Sequence, residues 1–311
     1  MDAMTITNDV APTTPTTPSI TTPSIASAAM LVELSIGCWT GRKLDKRASN
    51  DVTHQANAAK GVANVNKKLL GDCAELDAVQ KFTANARNAH YAMTMPWSDT
   101  GLRLLPTTQY FKYHGEITAL RSEFERLVSV FLQAYEWEIS QAQVKLGDLF
   151  NVDEYPTADS LRDKFRFGVN YMPLADVGDW RVDIGNEAKG VLETGYKKFY
   201  ADQLANAMGD VWKRAHKALS AMSDKLDYAD GPTKKIFRDS LVENVQDIVE
   251  LMGACNVSND PVMAEAQRKI DQALRGVTPD ALRDDSYLRA QTKRQVDEVK
   301  KIIDNLPGLG M

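Results

Sequence analysis

From Ile117 to Ile139 the apolar residues Ile117, Leu120, Phe124, Leu127, Val128, Phe131, Leu132, Tyr135 and Ile139 recur at three-and-four spacing, the pattern of one face of a long helix. Burying roughly eight such side chains at about 2 kcal/mol each yields on the order of 16 kcal/mol, less than the cost of ordering about 30 residues. The helix therefore requires covering elements from the rest of the chain or from another copy. It forms the end of a continuous stretch, Trp97 to Gly147, in which a turn and a short extended segment lead directly into it.

A second apolar stripe of the same kind runs from Asn186 to about Tyr228 through Ala188, Val191, Leu192, Tyr196, Phe199, Leu204, Met208, Val211, Ala215, Leu219, Met222 and Leu226. Unbroken, it spans roughly 60 Å. After Gly231-Pro232 the spacing predicts a helix over Thr233–Cys255. Two more begin at Ser258–Pro261 and at Thr278-Pro279, each with a capping residue and an early proline, the last ending near Asn305. Two stripes of this length exceed what a small domain easily covers, so self-association through the long helices is expected.

Period-two alternation marks the strands. Val32, Leu34, Ile36 and Cys38 share one side of the first, and Phe165, Phe167, Val169 and Tyr171 share one side of the clearest. Residues 102–105 and 109–113 read as a hairpin around Pro106-Thr107-Thr108, and Trp180, Val182 and Ile184 as a further strand. Between these, a helical stretch is expected from Arg47 to about Leu70, with Gly71-Asp72 as a stop and new N-cap before a helix over Cys73–Ala92. A short helix is expected after Thr157. The fold class is α+β, mostly α: a small, mainly antiparallel sheet from strands near 31–39, 101–113, 165–173 and 180–184, covered by long helices, with a helical C-terminal region. Residues 1–29, rich in Thr, Pro and Ser and without Lys or Arg, read as a disordered tail. The α+β domain follows over 30–185, and the helical region, continuous with it or separate, over 186–311.

A net charge of -5 and a pI near 5.5 exclude a globally basic, sequence-independent nucleic-acid binder. Three cysteines, Cys38, Cys73 and Cys255, are too few and too scattered for a disulfide framework and form no CxxC zinc pair. No run approaches 18 apolar residues and no basic, then apolar leader opens the chain, so a cytoplasmic location is expected and no membrane contact. Phosphate-loop, dinucleotide, nucleophile-elbow and HExxH motifs do not occur. His54, His90, His114 and His216 are far apart and read as ordinary surface or core residues. Nothing in the sequence requires a cofactor.

Three clusters carry chemistry. Asp176, Asp179, Asp183 and Glu187 surround Arg181 between a strand and a helix start, where carboxylates can hold a divalent cation, although turns and helix N-termini favour acids in any case. Arg42, Lys43, Lys46 and Arg47, with Lys67, Lys68 and Arg87, can form a phosphate-binding patch. Tyr110, Phe111, Lys112 and Tyr113, with Phe165, Arg166, Phe167 and Tyr171, interleave aromatics and cations on expected strands, as single-strand binders do, although a small core explains the same rings.

The phrases LSIGCWTGRKLDKRASNDV (34–52), PWSDTGLRLLPTTQYFKY (96–113) and LGDLFNVDEYPTADSLRDKFRFGVNYMPLADVGDWRV (146–182) resemble a largely bacteriophage-encoded family catalogued as a domain of unknown function, a likeness over roughly residues 30–300. The resemblance carries over no active site. Members are often encoded near a CobS- or MoxR-like AAA+ ATPase and a von Willebrand A-type protein. It therefore implies a non-enzymatic phage protein of the host-cell cytoplasm that self-associates or acts as an adaptor for such a partner. Single-stranded nucleic-acid binding or annealing through the basic and aromatic clusters is the alternative.

Overall fold

The computed structural model describes residues 25–174, 186–228 and 238–306. A single helical turn, α1 (Ile25–Ala28), leads into strand β1 (Ala29–Gly37). The chain then forms a small ribbon, β2 (Arg42–Asp45) and β3 (Val65–Lys68), around α2 (Lys46–Gln55). Helix α3 (Ala74–Met93), the short strands β4 (Met95–Pro96) and β5 (Arg103–Pro106), and the 37-residue α4 (Tyr110–Leu146) follow. After α5 (Ala158–Arg162) and β6 (Arg166–Pro173) come the helices α6 (Asn186–Leu226), α7 (Ser240–Cys255), α8 (Pro261–Leu274), α9 (Pro279–Asp284) and α10 (Ser286–Asp304). The protein is mostly α with a small antiparallel sheet.

That sheet runs β4-β5-β1-β6, and its register follows from the alternation. Val32 faces Tyr171, Leu34 faces Val169 and Ile36 faces Phe167, so most of the large apolar residues of the β1–β6 pair stand on one face, with Leu31 and Met172 on the other. Helix α4 covers that face: Val32, Leu105, Tyr113 and Ile117 form one buried group. Lower down, Phe124, Val128, Phe131 and Tyr135 pack with Val79 and Ala86 of α3. On the opposite face Ala29, Leu31, Met95 and Leu104 join a core with Val211, Ala215, Leu219 and Met222 of α6 and the buried sides of α7, α8 and α10. The sheet residues and the C-terminal helices therefore share one core.

Several local expectations are corrected. The helix expected to reach Leu70 ends at Gln55: Asn57 adopts φ 49°, and the chain returns as β3 to pair with β2. The left-handed Asn57 ends the helix, and the returning chain is held by the ladder to β2 and by the Val65 amide, which donates to Ser49 Oγ at 2.9 Å. Gly71 does turn the chain, at φ 60°, yet Cys73 rather than Asp72 caps α3, and the Asp72 carboxylate pairs with Lys68 at 3.0 Å. Residues 109–113 are not a strand: Thr107–Gln109 is a 3-10 turn and α4 begins at Tyr110. Tyr110, Tyr113 and Ile117 extend the same three-and-four stripe, and so long a helix outcompetes a five-residue alternation. The tail expected over 1–29 is structured at its end, where Ile25–Ala28 form α1 and the buried Ala29 opens β1, and the helix expected from Thr278 to near Asn305 is split at Asp285, whose carboxylate caps α10. The expected strand at 180–184, residues 1–24, Thr233–Phe237 and the residues after 306 lie outside the described residues.

Of the two long stripes expected to drive self-association, the first and the C-terminal half of the second are covered within the chain. Ile117, Phe124, Val128, Phe131 and Tyr135 are buried within the chain, as are Met208, Val211, Ala215, Leu219 and Met222. Partner helices of the same molecule cover these residues, whereas Val191, Leu192 and Phe199 at the start of the second stripe stay 71%, 43% and 47% exposed.

Candidate functional site

With its inner stripe locked against α3 and the sheet, α4 turns a second row of side chains outward. Leu127, Val130, Ala134, Trp137, Gln141 and Val144 follow one another at alternating intervals of three and four, a heptad row about 110° around the helix from the buried one. Trp137 is 61% exposed, Val144 83% and Val130 42%, while Leu127 and Ala134 are half-buried. A row of this kind can receive another helix. The spacing is present in the sequence, but Leu127 fits the inner stripe as well as the outer row. Only the fixed rotation of α4 separates the two.

The basic ribbon is real but partly spent. Arg42 lies opposite Lys68 and Lys43 opposite Lys67 across β2–β3. The side chain of Lys67 is almost fully covered: its ammonium lies 2.7 Å from Glu154 and 3.3 Å from Asp45 and donates to the Leu149 carbonyl at 2.7 Å. Burial works against that charge, but the hydrogen bonds to Glu154 and Asp45 outweigh it and hold Lys67 above its ordinary pKa. The amide of Ala48, then the contact with Lys67, hold Asp45 below the usual carboxylate range. Lys67 is thus a staple between the ribbon and the loop after α4. Arg42, Lys43, Lys46, Arg47 and Lys68 remain exposed. Arg87 does not join them; it donates to the carbonyl of Ile36 at the end of β1, at 2.8 Å.

The aromatic cluster is divided. Tyr113 is fully buried, Phe165 packs on Phe131 with ring centroids 5.7 Å apart, and Phe167 packs on Phe124 at 5.6 Å. These rings are core. Arg166 is exposed on the other face of β6. Tyr110, His114 and Tyr171 pack on one another beside the 84%-exposed Phe111, and Lys112 pairs with Glu250 at 2.7 Å. That patch lies at the start of α4, whereas the ribbon lies by its end, where Lys145 packs against Gly71. At 1.5 Å per residue the two are about 50 Å apart, so no single groove joins the cations to the rings.

A buried polar network ties α3 to the sheet and α6. His90 Nδ1 lies 2.7 Å from Tyr113 Oη, and the Thr94 hydroxyl donates to the His90 carbonyl at 2.6 Å. Arg103 donates to both oxygens of Thr94, at 2.6 and 2.9 Å, and Arg214 adds a third bond at 3.0 Å while pairing with Asp210 at 2.6 Å. Burial, reinforced by the charge of Arg103, pushes His90 down to about 4, and burial raises Tyr113. Both are neutral at pH 7 and serve as structural bonds. Asp176, Asp179, Asp183 and the side chain of Glu187 lie outside the described residues. Among the described residues, no helix is long and apolar enough to cross a membrane.

No protein-family model, no curated protein and no solved structure matches the chain.

Proposed function

We propose that this protein is a non-enzymatic assembly component that pairs with a second copy of itself through the outer row of α4, and in that form serves as an adaptor for a AAA+ ATPase or von Willebrand A-type partner. The observation that carries the reading is the exposed heptad row centred on Trp137. Set antiparallel about a two-fold axis, the row is self-complementary: Ala134 opposes Trp137, Val130 opposes Gln141 and Leu127 opposes Val144, so that a small residue meets the indole. The likeness to a phage family encoded beside such ATPases supports the adaptor role. Sedimentation equilibrium of the full chain tests the pairing. A concentration-dependent dimer that Trp137→Glu converts to monomer is expected. A wild-type chain that stays monomeric at every concentration, or a dimer indifferent to Trp137→Glu, overturns it.

A second reading, single-stranded nucleic-acid binding, is supported by the five exposed cations on the ribbon and at the start of α2. Of the aromatic cluster, the exposed ring, Phe111, lies at the far end of α4, so this reading rests on the phosphate contacts.

A further inference from the structure

Where α3 begins, three ligand-bearing side chains that are remote in sequence converge. Cys73 occupies the N-cap of α3, Glu75 its first turn, and Glu138 the inner stripe of α4 one turn beyond Tyr135. Cys73 Sγ lies 3.7 Å from Glu75 Oε2, and one donor atom from each of the three falls within 4.8 Å of the others. Cys73 is 3% exposed and Glu138 4%.

Glu138 is the anomaly. Its Oε2 is fully buried and has no hydrogen-bond partner among the described residues. The nearest lysine along the same helix, Lys145, instead donates to the Asp72 carbonyl at 3.4 Å. A carboxylate withdrawn from water without a counter-charge is unfavourable, and natural chains retain such a group where a cation meets it.

We propose that Cys73, Glu75 and Glu138 form a binding site for a thiophilic divalent cation of the zinc class. One sulfur and two carboxylate oxygens suit zinc and leave the fourth position of its tetrahedron to solvent or an external ligand. Zn–S near 2.3 Å and Zn–O near 2.0–2.2 Å place the donors about 3.5 Å apart, so the cluster contracts on binding, and the half-exposed Glu75 supplies the movement. Binding displaces the Cys73 thiol proton to solvent and leaves a thiolate on the metal. Without metal the thiol stays protonated: burial, with the charges of Glu138 and Glu75, pushes it up to about 11 despite the opposing amides of Leu76 and Glu75. The cation would bridge α3 to α4 near the ribbon end of the molecule, a role separate from the helix pairing above.

The test is a Co(II) titration of the full chain after stripping with a chelator. One equivalent should produce the sulfur-to-cobalt charge-transfer band in the near ultraviolet, and zinc should displace it and raise the thermal midpoint. Cys73→Ser should abolish the band, while Cys38→Ser and Cys255→Ser retain it. Because loss of an outer-shell partner alone weakens metal sites 10–100-fold, Glu138→Gln should weaken binding by about 100-fold or more. Absence of the band at saturating Co(II) in the wild-type chain overturns the proposal. So does a band that survives Cys73→Ser, or Co(II) affinity unchanged in Glu138→Gln.

Discussion

His90 makes stability depend on pH in a way that one substitution isolates. Its side chain is buried against Tyr113 and faces the cationic Arg103, so the folded protein holds it neutral down to about pH 4, whereas the unfolded chain protonates it near 6.5. A group with a depressed folded pKa stabilises the protein fully above its unfolded value. That contribution disappears as pH falls toward the folded value, because only the unfolded state takes up the proton. The separation of roughly 2.5 units corresponds to about 3 kcal/mol, of which about 2.5 kcal/mol is already lost at pH 4.5. Carboxylates add their own acid sensitivity, so the comparison is with His90→Gln, whose amide can still bond Tyr113 and does not titrate. Urea unfolding of both proteins at pH 7.5 and pH 4.5 is the assay. The wild-type protein should lose about 2–3 kcal/mol more than the variant over that interval, with equal denaturant slopes. Equal losses would show that His90 protonates freely in the folded state and is not sealed in the network.

Phe131, fully buried between Trp39, Tyr135 and Phe165, should cost about 3–5 kcal/mol on replacement by Ala, read by urea unfolding. Trp137→Ala on the outer row should change monomer stability by no more than about 0.5 kcal/mol, measured at concentrations below pairing. Lys67→Ser should lower the unfolding midpoint clearly, because Asp45 and Glu154 lose their shared cation, while Arg42→Ser leaves it unchanged; equal effects would refute the staple. If the ribbon grips single strands, affinity should fall with salt. Replacing Arg42, Lys43, Lys46 and Arg47 by Ser should then reduce the log–log slope by about 0.7 for each phosphate no longer neutralised, measured by fluorescence anisotropy. Phe111→Ala should leave that affinity unchanged, since its ring lies at the other end of α4.

Local periodicity was sufficient for what neighbouring residues decide. The inner stripe of α4, the alternating faces of β1 and β6, and the capped starts of α8 and α9 at Asp260-Pro261 and Thr278-Pro279 could all be read along the chain, because each depends on side chains within a turn or two of one another. Where a short segment satisfied two periods, tertiary packing chose. Residues 109–113 alternate like a strand but joined the helix, because Tyr113 fills the space beneath Val32 and Leu105. Residues 56–68 have helical composition, but the chain turned at Asn57 and residues 65–68 paired with β2 instead. The functional surfaces were less legible still. Lys67 and Arg42 look alike in sequence, and only the approach of Glu154, 87 residues beyond Lys67, makes one a covered staple and leaves the other free in solvent. Cys73 and Glu138 carry no mutual signal, because 65 residues separate them and their proximity is created by the packing of α3 on α4. The sequence determined which faces had to be buried. Which residues then met across those faces, and which apolar row was left to the outside, was decided by the rotation and crossing of helices that no local pattern encodes.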